Sequence, residues 1–410
     1  MTGRGRFLPM TSPLGRLRPE RPQVRRVDDL AATFDLATSG AAPADRTFTG
    51  VTMSSGDVEP GDLFVAVPGL KVHGARFAAD AVARGAVAVL TDADGVRAVP
   101  PDVPVLVADD PRALAGPVAA WALDDPASRL VTIGVTGTNG KTTTTYFVDA
   151  ALRAVHARTA VLGTVELRIG EDAVESPRTT VEAPVLQALM AVAHERGAGA
   201  LTTEVSSHAL ALGRVRGVRF DVVGFTNLQR DHLDFHGDME GYFRDKSRLF
   251  APEQARRGVV VVDDAWGRRL AEESPIPVET VSTHVGAPVA GGADWAVVEA
   301  DIGLDGVGSR FVLRGPGGAR HEARVQTRSV GHTVTSSRNR ASRAGPIPST
   351  SPSCSTSANG PFACLNATID AAVTGPTPGS ESSVASSAAL RSIFPCPGTP
   401  PASPSGPSPP

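Results

Sequence analysis

Cysteine is nearly absent from this 410-residue chain. The three present, Cys354, Cys364 and Cys396, lie in the last quarter and follow no metal-ligand or CxxC spacing. That excludes a thiol nucleophile or a disulfide framework from everything before them. Long hydrophobic runs are missing as well. No stretch reaches the roughly 20 apolar residues of a membrane span, so no membrane insertion is expected. Neither sign of charge dominates: a net charge of −3 offers no basic field for nucleic acid and no acidic tail. Lysine is scarce. Of 40 Lys plus Arg, only Lys71, Lys141 and Lys246 are lysines. Arginine is a wide fork that keeps its proton, whereas lysine is a compact charge that can lose it. A lysine in so arginine-biased a chain marks a place where arginine cannot serve, with chance as the alternative.

Residues 1–24 are basic and proline-rich without the apolar core of a secretion signal, and are expected to be a flexible leader on a cytoplasmic protein. From 25 to 128, strands are expected at 62–67, 85–90 and 103–107, with helices at 77–84 and 111–123. This reads as a small α/β domain. A second unit, 129–325, opens with a buried-strand run at 130–135, a glycine loop and a helix over 141–155. Further strands at 159–163, 200–205, 220–225 and 258–262, and helices at 183–196 and 239–249, favour a mostly parallel sheet. Residues 326–410 are dominated by Ser, Pro, Thr, Gly and Ala, with Asp370 and Glu381 as the only acids. Such a segment buries too little apolar surface to offset ordering, so a disordered tail is expected.

The strongest motif is residues 134–143 (GVTGTNGKTT), between an expected strand and helix. Backbone N–H groups of such a loop cradle phosphates, with Lys141 reaching the β- and γ-phosphates and the Thr142 hydroxyl helping to hold Mg²⁺. The match to G-x-x-x-x-G-K-[ST] is incomplete, because Val135 stands at the first glycine; a plain glycine turn with a surface lysine is the alternative. Glu204, in residues 202–210 (TTEVSSHAL), falls at a strand's C-terminal end, where open α/β sheets bind ligands, and a carboxylate suits a hard cation. Residues 225–250 (FTNLQRDHLDFHGDMEGYFRDKSRLF) follow a strand and lead into a helix bearing Lys246. A polar loop and solvated helix would be the bland reading of that run.

Taken in this order and spacing, the GTNGKTTT, EVSSHAL and DHLDFHGDME runs resemble the Mur ligase family, the last two its MurE type, the UDP-N-acetylmuramoyl-tripeptide synthetases. The resemblance runs from about residue 51 to 324. It implies a UDP-sugar-binding first domain over 25–128 and a central P-loop ATPase domain over 129–325. Residues Thr138, Asn139, Gly140, Lys141, Thr142 and Thr143 match the ATP loop. Glu204 and His232 match Mg²⁺ positions, and Lys246 the lysine that the family carbamylates with CO₂, a change arginine cannot mimic. Thr179, Thr180, Ser206 and Arg214 match positions holding the muramoyl-dipeptide, and Ser55 and Lys71 the UDP-binding part. Two departures stand out: Ser54, Ser55 and Gly56 replace the usual Asp-Ser-Arg, and Arg178 stands where asparagine is common.

The implied reaction is ATP-dependent addition of a third amino acid, diaminopimelate or L-lysine, to UDP-MurNAc-L-Ala-D-Glu through an acyl phosphate in peptidoglycan biosynthesis. The family's later G-x-F-N and Asp-Asn-Pro-Arg stretches do not occur, and the tail has the composition of a sequence read out of frame. The C-terminal ligase domain is therefore expected to be missing. An inactive ATP- or UDP-sugar-binding remnant is the competing reading. A folylpolyglutamate synthetase would share the loop but not the first domain or the DHLDFHGDME run.

Overall fold

The computed structural model describes residues 18–43, 45–69, 71–285, 292–302 and 309–325. The tail expected over 326–410, and most of the leader expected over 1–24, lie outside them.

The runs DLFV, AVLT and PVLV lack polar alternation, which is the pattern of strands covered on both faces. They form Asp62–Val65, Ala88–Thr91 and Pro104–Val107 in a five-stranded sheet. Its order is Ala37–Gly40, Pro104–Val107, Ala88–Thr91, Asp62–Val65, Gly50–Thr52, parallel except for the first strand. Alternate side chains go to opposite faces. Leu63, Val65, Leu90 and Leu106 pack against Val27, Leu30, Ala115 and Val118 of the helices Val27–Thr33 and Pro111–Ala122. Phe64, Val89 and Val105 pack against Ala78 and Ala81 of Ala78–Ala83.

A second sheet has the order Asp172–Glu175, Glu166–Ile169, Thr159–Leu162, Ala200–Glu204, Val131–Thr136, Phe220–Phe225, Ala255–Val261, Val278–Ser282. The last six run parallel, and the first two form an antiparallel hairpin at the edge. The chain leaves Val131–Thr136 for Thr159–Leu162 on one side and later returns to Phe220–Phe225 on the other. The C-terminal ends of Val131–Thr136, Ala200–Glu204 and Phe220–Phe225 therefore lie side by side at a switch in strand order, where such sheets bind ligands.

The α/β class and the parallel sheet agree with the sequence reading, and most elements match it to within a few residues. The hairpin was not expected. Its tight turn uses Gly170 at φ +62°, a conformation open to glycine. The expected helix 239–249 is Met239–Ser247 followed by a 3₁₀ turn, Arg248–Phe250. Residues 18–24, placed in the leader, are engaged. Arg18 holds the Asp62 carboxylate (2.7 Å) and the Asp57 carbonyl (2.9 Å), while the Glu20 and Arg21 amides donate to Glu195.

The described residues fall into two units: 18–282 with 292–294, and 283–285 with the later strands. That division falls inside the span 129–325 expected as one domain. The second unit holds an antiparallel meander, Trp295–Ile302, Ser309–Arg314 and Arg320–Val325, around Val297, Phe311 and Leu313.

Within the first unit, the helix Pro111–Ala122 meets the turn at 213–217 backbone to backbone. A Cβ on Gly116 would lie 1.9 Å from the Arg216 carbonyl oxygen, and Gly217 sits at φ +83° beside it. Alanine favours a helix over glycine by about 1 kcal/mol, yet overpacking costs about 1–3 kcal/mol. Gly116→Ala is therefore expected to lower the urea unfolding midpoint. An unchanged or raised midpoint would show that the contact is not tight.

Candidate active site

The loop between Val131–Thr136 and the helix Lys141–Leu152 depends on two glycines. Gly137 has φ +140° and Gly140 φ +86°, which side chains rarely tolerate. A Cβ on Gly137 would also lie 1.9 Å from Thr226 Oγ1. Residues 226–229 hold the loop from the neighbouring strand end. The Thr138 amide donates to the Asn227 carbonyl (2.9 Å) and Thr226 Oγ1 to the Asn139 carbonyl (2.7 Å). The Gln229 amide donates to Thr138 Oγ1 (2.9 Å), and Asn139 Nδ2 to Gln229 Oε1 (3.0 Å). The following helix starts with no side-chain cap. Its first amides are unsatisfied donors at the positive end of the helix dipole, which together make an anion-binding surface.

Both lysines of the motifs converge on this loop. Lys141 Nζ donates to the carbonyls of Gly137 (3.0 Å) and Thr138 (2.9 Å). An ammonium has three protons, so one remains beyond these bonds. Lys246, 1% exposed, donates to the same Gly137 carbonyl (2.8 Å), with its Nζ 4.7 Å from the Tyr242 ring centroid. Burial holds the Lys141 amine below its ordinary value, opposed by Glu204 and Asp231. Burial pushes Lys246 down much further, Lys141 adds to the push, and Asp231 opposes it.

Glu204 is 1% exposed at the end of its strand. Its carboxylate accepts from Thr142 Oγ1 (2.9 Å), the Thr164 amide (2.7 Å) and Thr164 Oγ1 (3.1 Å). Next to it stand all four residues matched to the dipeptide. Thr180 Oγ1 donates to the Glu204 carbonyl (2.9 Å) and lies 3.4 Å from Ser206 Oγ. Arg214 Nη1 reaches the Thr180 carbonyl (3.4 Å), and Thr179 Oγ1 meets Thr164 Oγ1 (3.1 Å). Thr164 and Gln229 carry no sequence signal of this role, because their partners are 40 and 91 residues away.

His232 bonds to its neighbour, its amide donating to Asp231 Oδ1 (2.9 Å). It is half-exposed, left-handed at φ +51°, and packs on His208 with ring centroids 4.9 Å apart. Among the described residues, no three His, Cys, Asp or Glu side chains cluster as metal ligands. The oxygens of Thr142 and Glu204 are the hard donors that suit Mg²⁺. Asn139 and Thr143 are exposed at the loop's surface.

A cavity of about 510 Å³ opens between the edge strand Gly50–Thr52 and the helix Ala183–Glu195. Arg18, Ser54, Arg112, Arg178 and Glu182 line it. Ser55, in the 3₁₀ turn Ser55–Asp57, and the exposed Lys71 are not among its lining residues.

The buried Lys246 amine gives a pH signature. With a folded-state pKa below the ordinary 10.5, the unfolded chain binds more protons in the interval between the two values. Stability should then rise with pH through that interval and level off near 10.5. Relative to Lys246→Met, the wild-type chain should gain stability on going from neutral to alkaline buffer free of CO₂. Parallel curves for the two proteins would show that Lys246 is charged in the fold.

Two descriptions of the Mur ligase family match the chain in order: the Mur ligase family catalytic domain over residues 47–121 and the Mur ligase middle domain over 135–333. The chain is 46% identical over 321 residues to a UDP-N-acetylmuramoyl-L-alanyl-D-glutamate–2,6-diaminopimelate ligase of Streptomyces avermitilis, covering 78% of this chain and 60% of that one. It is 46% identical over 318 residues to a UDP-N-acetylmuramyl-tripeptide synthetase of Leifsonia xyli, covering 77% and 60%. A solved UDP-N-acetylmuramoyl-L-alanyl-D-glutamate–2,6-diaminopimelate ligase superposes with a TM-score of 0.58 at 29% identity, over 72% of this chain and 58% of that one. MurF from Acinetobacter baumannii shares the fold, with a TM-score of 0.52 at 18% identity, over 76% and 62%. The chain thus spans about three-fifths of the length of the curated relatives it matches. With both domains matched in order around one phosphate-type loop, the chain belongs to the Mur ligase family and carries its N-terminal and middle domains.

Proposed function

We propose that this chain is an ATP-dependent ligase of the MurE type, which adds the third amino acid to UDP-MurNAc-L-Ala-D-Glu in peptidoglycan synthesis. The observation that carries the reading is the uncapped helix start at Lys141, flanked by Lys141 Nζ and by the Thr142–Glu204 pair. The names of the relatives make 2,6-diaminopimelate the first amine to assay. Its substrates are small molecules, and no nucleic acid is involved. Among the described residues no helix is long and apolar enough to cross a membrane. The proposed location is the cytoplasm, where ATP is supplied.

In the proposed reaction, a substrate carboxylate oxygen attacks the γ-phosphorus of ATP. The bond to the β-phosphate oxygen breaks and ADP leaves. The amine nitrogen of the amino acid then attacks the acyl carbon, gives up a proton and expels phosphate. The chain's tasks are alignment of two anions and dispersal of phosphoryl charge. The amides at 140–143 would take the phosphates, with Lys141 alongside as a fixed positive charge. Thr179, Thr180, Ser206 and Arg214 would hold the dipeptide beside Glu204. Thr142 and Glu204 would hold Mg²⁺, with His232 assigned to the same ion from the family pattern. When bound, that ion supplies positive charge to the phosphate oxygens. Lys246 suits CO₂ addition, because its amine is buried, pushed towards the neutral form, and hydrogen-bonded to a carbonyl oxygen.

Calorimetric titration of the full chain with MgADP tests the nucleotide half. Binding is expected, and Lys141→Ala should weaken it by on the order of tenfold to a hundredfold, as befits a charge-assisted hydrogen bond. Equal affinity in the variant would remove Lys141 from the site. Release of ADP that requires both UDP-MurNAc-dipeptide and diaminopimelate tests the ligase half. Nucleotide binding without such turnover would leave the chain a binding protein.

A further inference from the structure

Beside the loop runs a hydrogen-bonded chain that the proposed chemistry does not use. His236 Nδ1 meets Asp245 Oδ2 at 2.7 Å, and its Nε2 meets Ser207 Oγ at 2.9 Å. The imidazole is fully buried, and its ring packs on Tyr242 with centroids 4.9 Å apart. Carboxylate, imidazole and hydroxyl follow one another as in a hydrolytic triad. Ser207, however, is 2% exposed in the first turn of a short helix, so no substrate can approach its oxygen. An imidazole with both nitrogens bonded and no solvent access acts as a strut.

The two ends of the strut matter. Ser207 lies three residues beyond Glu204, at the strand end that faces the loop. Asp245 precedes Lys246 on Met239–Ser247 and is also paired with Arg248 at 3.2 Å. The same helix touches the loop twice. Tyr242 OH lies 3.3 Å from Thr138 Oγ1, and Lys246 Nζ lies 2.8 Å from the Gly137 carbonyl. His236 sits on Leu233–His236, immediately before this helix, and so ties the helix to the Glu204 strand end. A slip of one residue would turn the helix by about 100° and carry Lys246 away from the loop.

We propose that His236 is a positioning residue for Lys246. Clamped between Asp245 and Ser207, it fixes the register of the helix that sets the lysine amine on the Gly137 carbonyl. Through that bond it holds the phosphate loop in its binding shape. The inference rests on the nucleotide reading above. A histidine that served only core stability would weaken the fold without any link to Lys246.

A double-mutant cycle on MgADP affinity, measured calorimetrically on the full chain, separates the two roles. His236→Ala should weaken MgADP by on the order of tenfold when Lys246 is present, and by less than about twofold in the Lys246→Met background. His236→Asn, which keeps an amide near the position of Nδ1 and its bond to Asp245, should recover most of the loss. If thermal melting shows that His236→Ala does not fold, His236→Asn and Ser207→Ala in the same two backgrounds carry the test, with smaller losses that again vanish without Lys246. Equal losses in both backgrounds, or no loss in either, would overturn the proposal. A wild-type chain that does not bind MgADP would remove the nucleotide reading and this inference with it.

Discussion

The Gly137 carbonyl accepts hydrogen bonds from two lysines that lie 105 residues apart in the sequence. Gly137 itself adopts φ +140°, a conformation open to glycine, so the residue that receives both amines is one that side chains rarely replace. Two ammonium groups on one oxygen repel each other. The arrangement is tolerable because burial pushes the Lys246 amine towards its neutral form. That constraint links the glycine loop, the helix Lys141–Leu152 and the helix Met239–Ser247 into one object. A change in any of the three must be felt by the others.

The sheet supplies the rest. Val131–Thr136 lies between Ala200–Glu204 and Phe220–Phe225, so three strand ends deliver a loop, a carboxylate and a polar segment to the same edge. The polar segment 226–229 supports the loop through backbone and side-chain bonds, and Glu204 takes the Thr142 hydroxyl. The carboxylate is acceptable at 1% exposure because three donors reach it. The surface left for a ligand is the set of helix-start amides, which nothing in the loop satisfies through a side-chain cap.

Much of this was legible from the residues, and the limits have physical causes. Lys141, Thr142 and Glu204 could be picked out because their chemistry is carried by residue type and by position at a helix start or strand end, whereas Lys246, in the last turn of Met239–Ser247, stood out as one of only three lysines and through the family resemblance. The buried strands were visible because both faces are covered and the apolar runs are continuous. The hairpin at 166–175 was missed because ELRI and DAVE are short and half-polar, and pairing rather than sequence defines them. His236, Asp245 and Ser207 were read as parts of motifs, but their mutual bonds span 9 and 29 residues and leave no local trace. Neither Ser55 nor Lys71 lines the cavity, whereas Arg18, assigned to a leader, does. Its role depends on Asp62, 44 residues away.

The most direct test of the loop's role is where the β-phosphate sits in a crystal of the full chain grown with MgADP. Phosphate oxygens are expected about 3 Å from the amides at 140–143, with Lys246 Nζ still on the Gly137 carbonyl. A nucleotide bound elsewhere, or a loop that keeps its shape with Lys246 turned away, would contradict it.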